Sequence, residues 1–367
     1  MARRELTGRS WSKGILSTML LAGALALACS DKGTEPKPGS YRLYVAKTGD
    51  PEGWVAVIDC ATDSVVDTLR YGFQRDGMGI VASPDGKYLA VTGSGRRPLI
   101  WDVAGGAPIG YLSVPMMPPA FLPDIHAVVG TPFDSTLVYS LPTLAPTTTW
   151  PVELIWAEKV PGKPWVMGID QRQSSVPNDD ESKLAIFDYQ ENQEIDSVII
   201  EPDDQGVGFQ VTRFTLSPDG RRLYAVGGGA GGGPSLIGYD LERRQVVFRR
   251  ALSVAVGYCR VTPDGREVWV SEHGFLWQTP IYPGHVIAFD AQSGHPLDTI
   301  KTDGLGPTPN DGLAVLDIRF LPSGEKAYVN TYHSGPVLVI DVRTHTIERF
   351  ILTSGGSAHA IDLAPVP

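Results

Sequence analysis

The chain has 367 residues, 42% of them hydrophobic and 20% charged, with a formal charge of −10. That composition is globular, the length is ample for a large core, and the acidic balance excludes general nucleic-acid binding. Cys60 and Cys259 are the only cysteines outside the first 30 residues, so at most one disulfide is open to them and a disulfide framework is excluded.

The first predicted element is an export signal over residues 1–28. Arg3, Arg4, Arg9 and Lys13 precede an apolar run, Gly14–Ala28, that is too short to span a bilayer comfortably. The stretch LALAC, Leu25–Cys29, resembles a bacterial lipobox. The resemblance implies cleavage before Cys29 and lipidation of that cysteine. Ala26 and Leu27 stand in the reverse of the commonest order. Residues 29–40 are polar and contain proline and glycine, which suits a flexible tether. By the same resemblance, Ser30 after the cysteine favours the outer membrane over the inner. Loss of Arg3, Arg4, Glu5, Arg9 and Lys13 would leave a charge of about −13 on residues 29–367.

From Tyr41 onward the chain repeats itself. Related turns recur: SPDG at Ser83–Gly86 and Ser217–Gly220, TPDG at Thr262–Gly265, LPSG at Leu321–Gly324, with weaker forms at Leu122–Asp124 and Val160–Gly162. Proline presets φ and glycine accepts positive φ, so each is a tight-turn signal. After each turn comes a run rich in aromatic and β-branched residues, such as KYLAVTG, RRLYAVG and EKAYVNT. A second run usually ends in aspartate, at Asp59, Asp102, Asp188, Asp240, Asp290 and Asp341. A third follows, and a fourth leads into the next turn. Seven units of about four short strands predict an all-β chain, a seven-bladed β-propeller of four-stranded antiparallel blades over residues 41–367.

The pattern of YVxN, VxVID, VVxTI and SPDG closely resembles the bacterial YVTN family of propeller repeats, a WD40-like architecture. It is clear in five units and weak in the third and fourth. The chain opens its repeats with three strands, Arg42–Leu69, and closes with one orphan strand in AHAIDLAP, Ala358–Pro365. Pairing of N- and C-terminal strands in one blade is therefore expected, since it leaves no open sheet edge in the ring.

Repetition marks scaffold, so candidate functional residues are those that interrupt it. The recurring aspartates read as turn formers that accept backbone N–H groups. Counting back from the turn prolines, period-two alternation sends Arg213, Tyr258, Arg260, Asp317, Arg319 and Asp362 towards the central channel. The second unit contributes only small or apolar residues there. Such a wall offers either a site for a small anionic or polar ligand or a solvated ring of ion pairs.

Loops at the channel mouth form the other candidate region. Adjacent blades should bring Glu272, His273, Asn310, Asp311, Tyr332, His333 and His359 to one sector of it. These residue types suit a divalent metal or a general base, but no metal-ligand spacing is present, so a metal is not favoured. Phe275, Trp277 and Tyr282 on a long loop could cover the mouth or meet a partner. Gly227, Gly229 and Gly232 nominally fit GxGxxG, yet a strand-like run follows where phosphate binding needs a helix. The expectation is a non-enzymatic, monomeric lipoprotein of the cell envelope, touching the membrane only through its anchor. It would bind an envelope protein, a glycan or a small molecule through its loops and channel. The alternative is a lactonase-like hydrolase or another propeller enzyme, suggested by likeness of fold alone.

Overall fold

The computed structural model describes residues 40–48, 52–71, 77–93, 96–114, 119–132, 135–170, 182–201, 208–228, 233–253, 256–272, 284–305, 312–332, 335–353, 355 and 357–367. They form seven four-stranded antiparallel sheets, the blades of a seven-bladed β-propeller. The inner strands are Ser357–Pro365, Gly77–Ala82, Ala120–Leu122, Leu154–Lys159, Gln210–Leu216, Val256–Val261 and Val315–Phe320, for the first to the seventh blade.

The first blade joins both ends of the repeat region. Ser357–Pro365 pairs with Tyr41–Thr48, with Tyr44 opposite Asp362 and Val45 opposite Ile361. The orphan C-terminal strand is the innermost strand of this blade, and the ring closes by hydrogen bonds between N- and C-terminal strands.

The core is divided in the same way as the ring. Seven apolar clusters of buried residues lie between the seven pairs of adjacent blades. Strand alternation explains this: odd and even residues of one strand serve opposite neighbours. Leu43 and Val45 pack towards the seventh blade, whereas Tyr44 and Ala46 pack towards the second. Cys60 lies between the seventh and first blades and Cys259 between the fifth and sixth, so they are separate free thiols rather than a disulfide. Burial pushes each up to about 12.

The repeated turns join each inner strand to the next strand outward. Gly86, Gly220, Gly265 and Gly324 take φ of +74°, +67°, +73° and +75°, a conformation that glycine adopts without steric cost. In the first SPDG turn, Ser83 Oγ donates to Asp85 Oδ1 at 2.7 Å and accepts from Tyr88 N at 2.8 Å. The aspartates that end the third strands close the next hairpin. Asp102 accepts Gly105 N, Asp240 accepts Arg243 N, and Asp341 accepts Thr344 N.

The third blade departs from the expected pattern. The run after its turn, Ile125–Gly130, does not begin as a strand: Pro123–Ile125 forms a 3₁₀ turn, His126 follows at φ 48°, and the strand is Ala127–Gly130. Pro123 at the first position of that turn fixes the helical φ locally.

Candidate functional site: the central channel

The inner strands enclose a cavity of about 390 Å³. All six channel residues expected from the turn count line it: Arg213, Tyr258, Arg260, Asp317, Arg319 and Asp362. Most inner strands are bulged near the mouth, with register shifts at Gly77/Gly79, Val211/Arg213, Val256/Cys259 and Val315/Ile318. Below each bulge the alternation runs undisturbed into the turn, which keeps the count valid.

The charged half of the wall is one chain of ion pairs crossing several blades. Glu158 Oε1 meets Arg260 Nη1 at 3.2 Å, and Arg260 Nη2 lies 3.5 Å from Asp317 Oδ1. The same Asp317 oxygen accepts Arg319 Nη1 at 2.6 Å, and Arg319 Nε donates to Asp362 Oδ1 at 2.7 Å. Asp362 Oδ2 then accepts the backbone N–H of Ala82, in the second blade, at 2.7 Å. Asp317 is the most enclosed member, with its side chain 2% exposed. Burial disfavours the charge on Arg319, but Asp317 and Asp362 outweigh it and hold the guanidinium firmly protonated. Burial pushes the Glu158 carboxyl above the ordinary carboxylate range, opposed by Arg260 and Arg319. Its side chain keeps 31% exposure and lines the channel cavity.

Arg213 stands apart from this chain. Its Cζ lies 3.4 Å from the centre of the Trp156 ring and 4.8 Å from that of Tyr258. The two rings are edge to face, 6.3 Å apart. Cation–π attraction fixes the guanidinium there. Its Nη1 donates to the Thr212 carbonyl, whereas its Nε is buried without a hydrogen-bond partner. Among the described residues no carboxylate pairs with Arg213. The opposite wall is apolar and includes Val81, Ala120, Phe121 and Ala360.

Trp156 and Glu158 were not among the residues expected at the site. The signal for both exists: they stand five and three residues before Pro161, as Arg213 and Thr215 stand before Pro218. Lys159 obscured it, because a lysine occupies the place where other inner strands carry an apolar residue. Its ammonium reaches outward to Asp124 at 2.9 Å. Trp156 takes φ 52°, within a bulge between Ile155 and Glu158. A bulky residue in that region costs about 1–3 kcal/mol and marks a place where side-chain direction is held by its surroundings.

Of the seven residues expected at the mouth, Glu272, Tyr332 and His359 are among the described residues. Glu272 ends the strand Glu267–Glu272 and is buried, and its carboxylate accepts Ser253 N and Ser253 Oγ, on the connection from the fifth blade to the sixth. A carboxylate is buried there because N–H and O–H donors meet it. Tyr332 and His359 do meet, edge to face at 5.2 Å, and His359 Nε2 lies 3.3 Å from Thr48 Oγ1. His273, Asn310, Asp311 and His333 lie outside the described residues, as do Phe275, Trp277, Tyr282 and Cys29, where lipidation is expected. Among the described residues no group of three or more His, Cys, Asp or Glu side chains could hold a metal ion. A strand, Ser235–Asp240, follows the glycine run, as a hairpin loop requires.

No family model matches the chain, and no curated protein matches it. Many solved structures share the architecture, among them two from enzymes. The hydrazine synthase of Kuenenia stuttgartiensis aligns with a TM-score of 0.59 at 17% identity, covering 73% of this chain and 77% of that one. NirN, a dihydro-heme d1 dehydrogenase solved in complex with DHE, aligns with a TM-score of 0.57 at 14% identity, covering 90% and 76%. At such identities the likeness is one of fold. Among the described residues, the cavity lining includes no histidine, cysteine or methionine, side chains that commonly ligate haem iron.

Proposed function

We propose that this protein is a non-enzymatic, lipid-anchored propeller of the cell envelope that binds a small polar ligand with an anionic group in its central channel. The observation that supports this most is Arg213. A guanidinium clamped between two aromatic rings, with a buried N–H unused and no carboxylate partner, is prepared for an anion. The cavity lies in the volume range of small-molecule sites, roughly 300–1,000 Å³, and places a few polar groups against an apolar wall. The lipobox-like Leu25–Cys29 supports export and anchoring. Monomeric action suits a ring whose edges are closed by its own termini. Capture of an envelope protein or glycan by the mouth loops would be a second activity of the same body.

A propeller hydrolase would need a free general base or a metal centre. Each channel carboxylate instead already accepts from an arginine or a backbone N–H. The test is a thermal-shift and calorimetric screen of small carboxylates, amino acids and phosphates against the wild type and Arg213→Gln. Binding that falls at least tenfold in Arg213→Gln supports the reading. Binding unchanged by that substitution, no binding by any compound, or turnover of a lactone panel would overturn it.

A further inference from the structure

We infer that the channel ligand is a zwitterion with an apolar body, the chemistry of a free aliphatic amino acid or a small peptide. This rests on the binding reading above and adds what lies beside Arg213. The ion-pair chain holds three carboxylates, Glu158, Asp317 and Asp362, but only two guanidiniums, Arg260 and Arg319. It carries one formal negative charge in excess. Arg213 supplies the balancing positive charge without pairing to it, because Tyr258 stands at both: its ring centre is 4.8 Å from Arg213 Cζ and 5.4 Å from Arg260 Cζ. A lone cation and an anionic excess thus meet around one phenol ring, inside one cavity.

Unbalanced charge in a partly desolvated channel is costly unless a counter-charge arrives. A monoanion would satisfy Arg213 and leave the excess on the chain. A monocation would do the reverse. A zwitterion answers both, with its carboxylate at Arg213 and its ammonium at the carboxylate-rich chain. Val81, Ala120 and Phe121, across the cavity, then receive an aliphatic body. About 390 Å³ favours a ligand of one or two residues over a long peptide.

The experiment is isothermal titration of the full chain with three matched probes: L-leucine, 4-methylpentanoate, which lacks the amino group, and 3-methylbutylamine, which lacks the carboxylate. L-leucine should bind at least tenfold more tightly than either. In Glu158→Gln the order of the two acids should reverse, with 4-methylpentanoate gaining and L-leucine losing about tenfold. Asp362→Asn should reverse it too, and thermal melts confirm that both variants fold. Equal binding of L-leucine and 4-methylpentanoate, or no reversal in either variant, would overturn the zwitterion while the anion reading survives. If none of the three binds, the zwitterion inference falls, and the wider carboxylate and phosphate screen decides the anion reading separately.

Discussion

Aspartates occupy two regions of this propeller, and their partners differ in kind. In the hairpin turns each one serves its own hairpin. Asp219 accepts Arg221 N, two residues on, and Asp290 accepts Ser293 N, three residues on. In the channel they join parts of the chain far apart in sequence. Asp362 binds Arg319 and the backbone of Ala82, 43 and 280 residues away. The first kind recurs because every blade needs the same local turn. The second kind does not recur, because a ring needs its channel wall to be complementary only once. Repeated residues make blades, and unrepeated ones join blades into a site.

The largest effect should come from breaking the join itself. Truncation after Gly356 removes Ser357–Pro365, the innermost strand of the first blade and the closure of the ring. The truncated chain should lose its cooperative melt, read by circular dichroism. A melt like that of the full chain would mean that the closure is dispensable. Next comes a paired substitution. Asp317→Ala leaves Arg260 and Arg319 sharing a buried place with their common carboxylate gone, and should cost about 3–5 kcal/mol in urea denaturation. Asp219→Ala, in a turn, should cost about 1 kcal/mol. Equal costs would erase the distinction between the two regions.

Lys47 sharpens the comparison as an unrepeated charge with no partner. Its side chain is fully buried, and its Nζ has no hydrogen bond. Burial pushes its pKa down to about 8. Below that pH both folded and unfolded states hold the proton, and the full penalty applies. As pH rises from about 8 towards the unfolded value near 10.4, the folded state has already shed its proton and relative stability increases. Lys47→Met should therefore stabilise the protein by up to about 3 kcal/mol at pH 7. That gain should shrink between pH 8 and 10, measured as the difference between two denaturation series. A gain independent of pH would refute the assignment.

The smallest effect belongs to single turn carboxylates. Hydrogen bonds from the Ser293 hydroxyl and backbone hold Asp290 below the usual carboxylate range. A depressed folded value gives stability that is present above the unfolded value near 4 and lost as pH falls. Asp290→Asn should lower stability at pH 7 by about 1 kcal/mol and flatten the acid limb of its pH profile. An unchanged acid limb would place that dependence elsewhere.

Much of this was legible in the sequence because repetition carries register. Once Pro84, Pro218, Pro263, Pro322 and Pro365 are aligned, the residues three and five places before each fall on the channel side, and the orphan strand finds its blade. The count failed in practice at the fourth blade. Lys159 breaks the apolar alternation there, and Trp156 and Glu158 went unrecognised as wall residues. At the mouth no such count is available, because loop residues have no period to fix their direction. Of the carboxylates expected there, Glu272 ends the strand Glu267–Glu272 and is buried against Ser253, a contact that its place in the sequence does not announce. Nor does the sequence reveal that two guanidiniums share three carboxylates while a third has none, since that depends on contacts between blades.

The most direct measurement is the side-chain Nε–H resonance of Arg213 in a ¹⁵N-labelled sample titrated with L-leucine, assigned by its absence in Arg213→Lys. With its Cζ 3.4 Å from the Trp156 ring, this group feels a strong ring current in the free protein. Binding in the channel predicts a saturable shift of this resonance, with the same midpoint as calorimetry. Binding that leaves the Arg213 resonance unmoved would contradict the channel as the site.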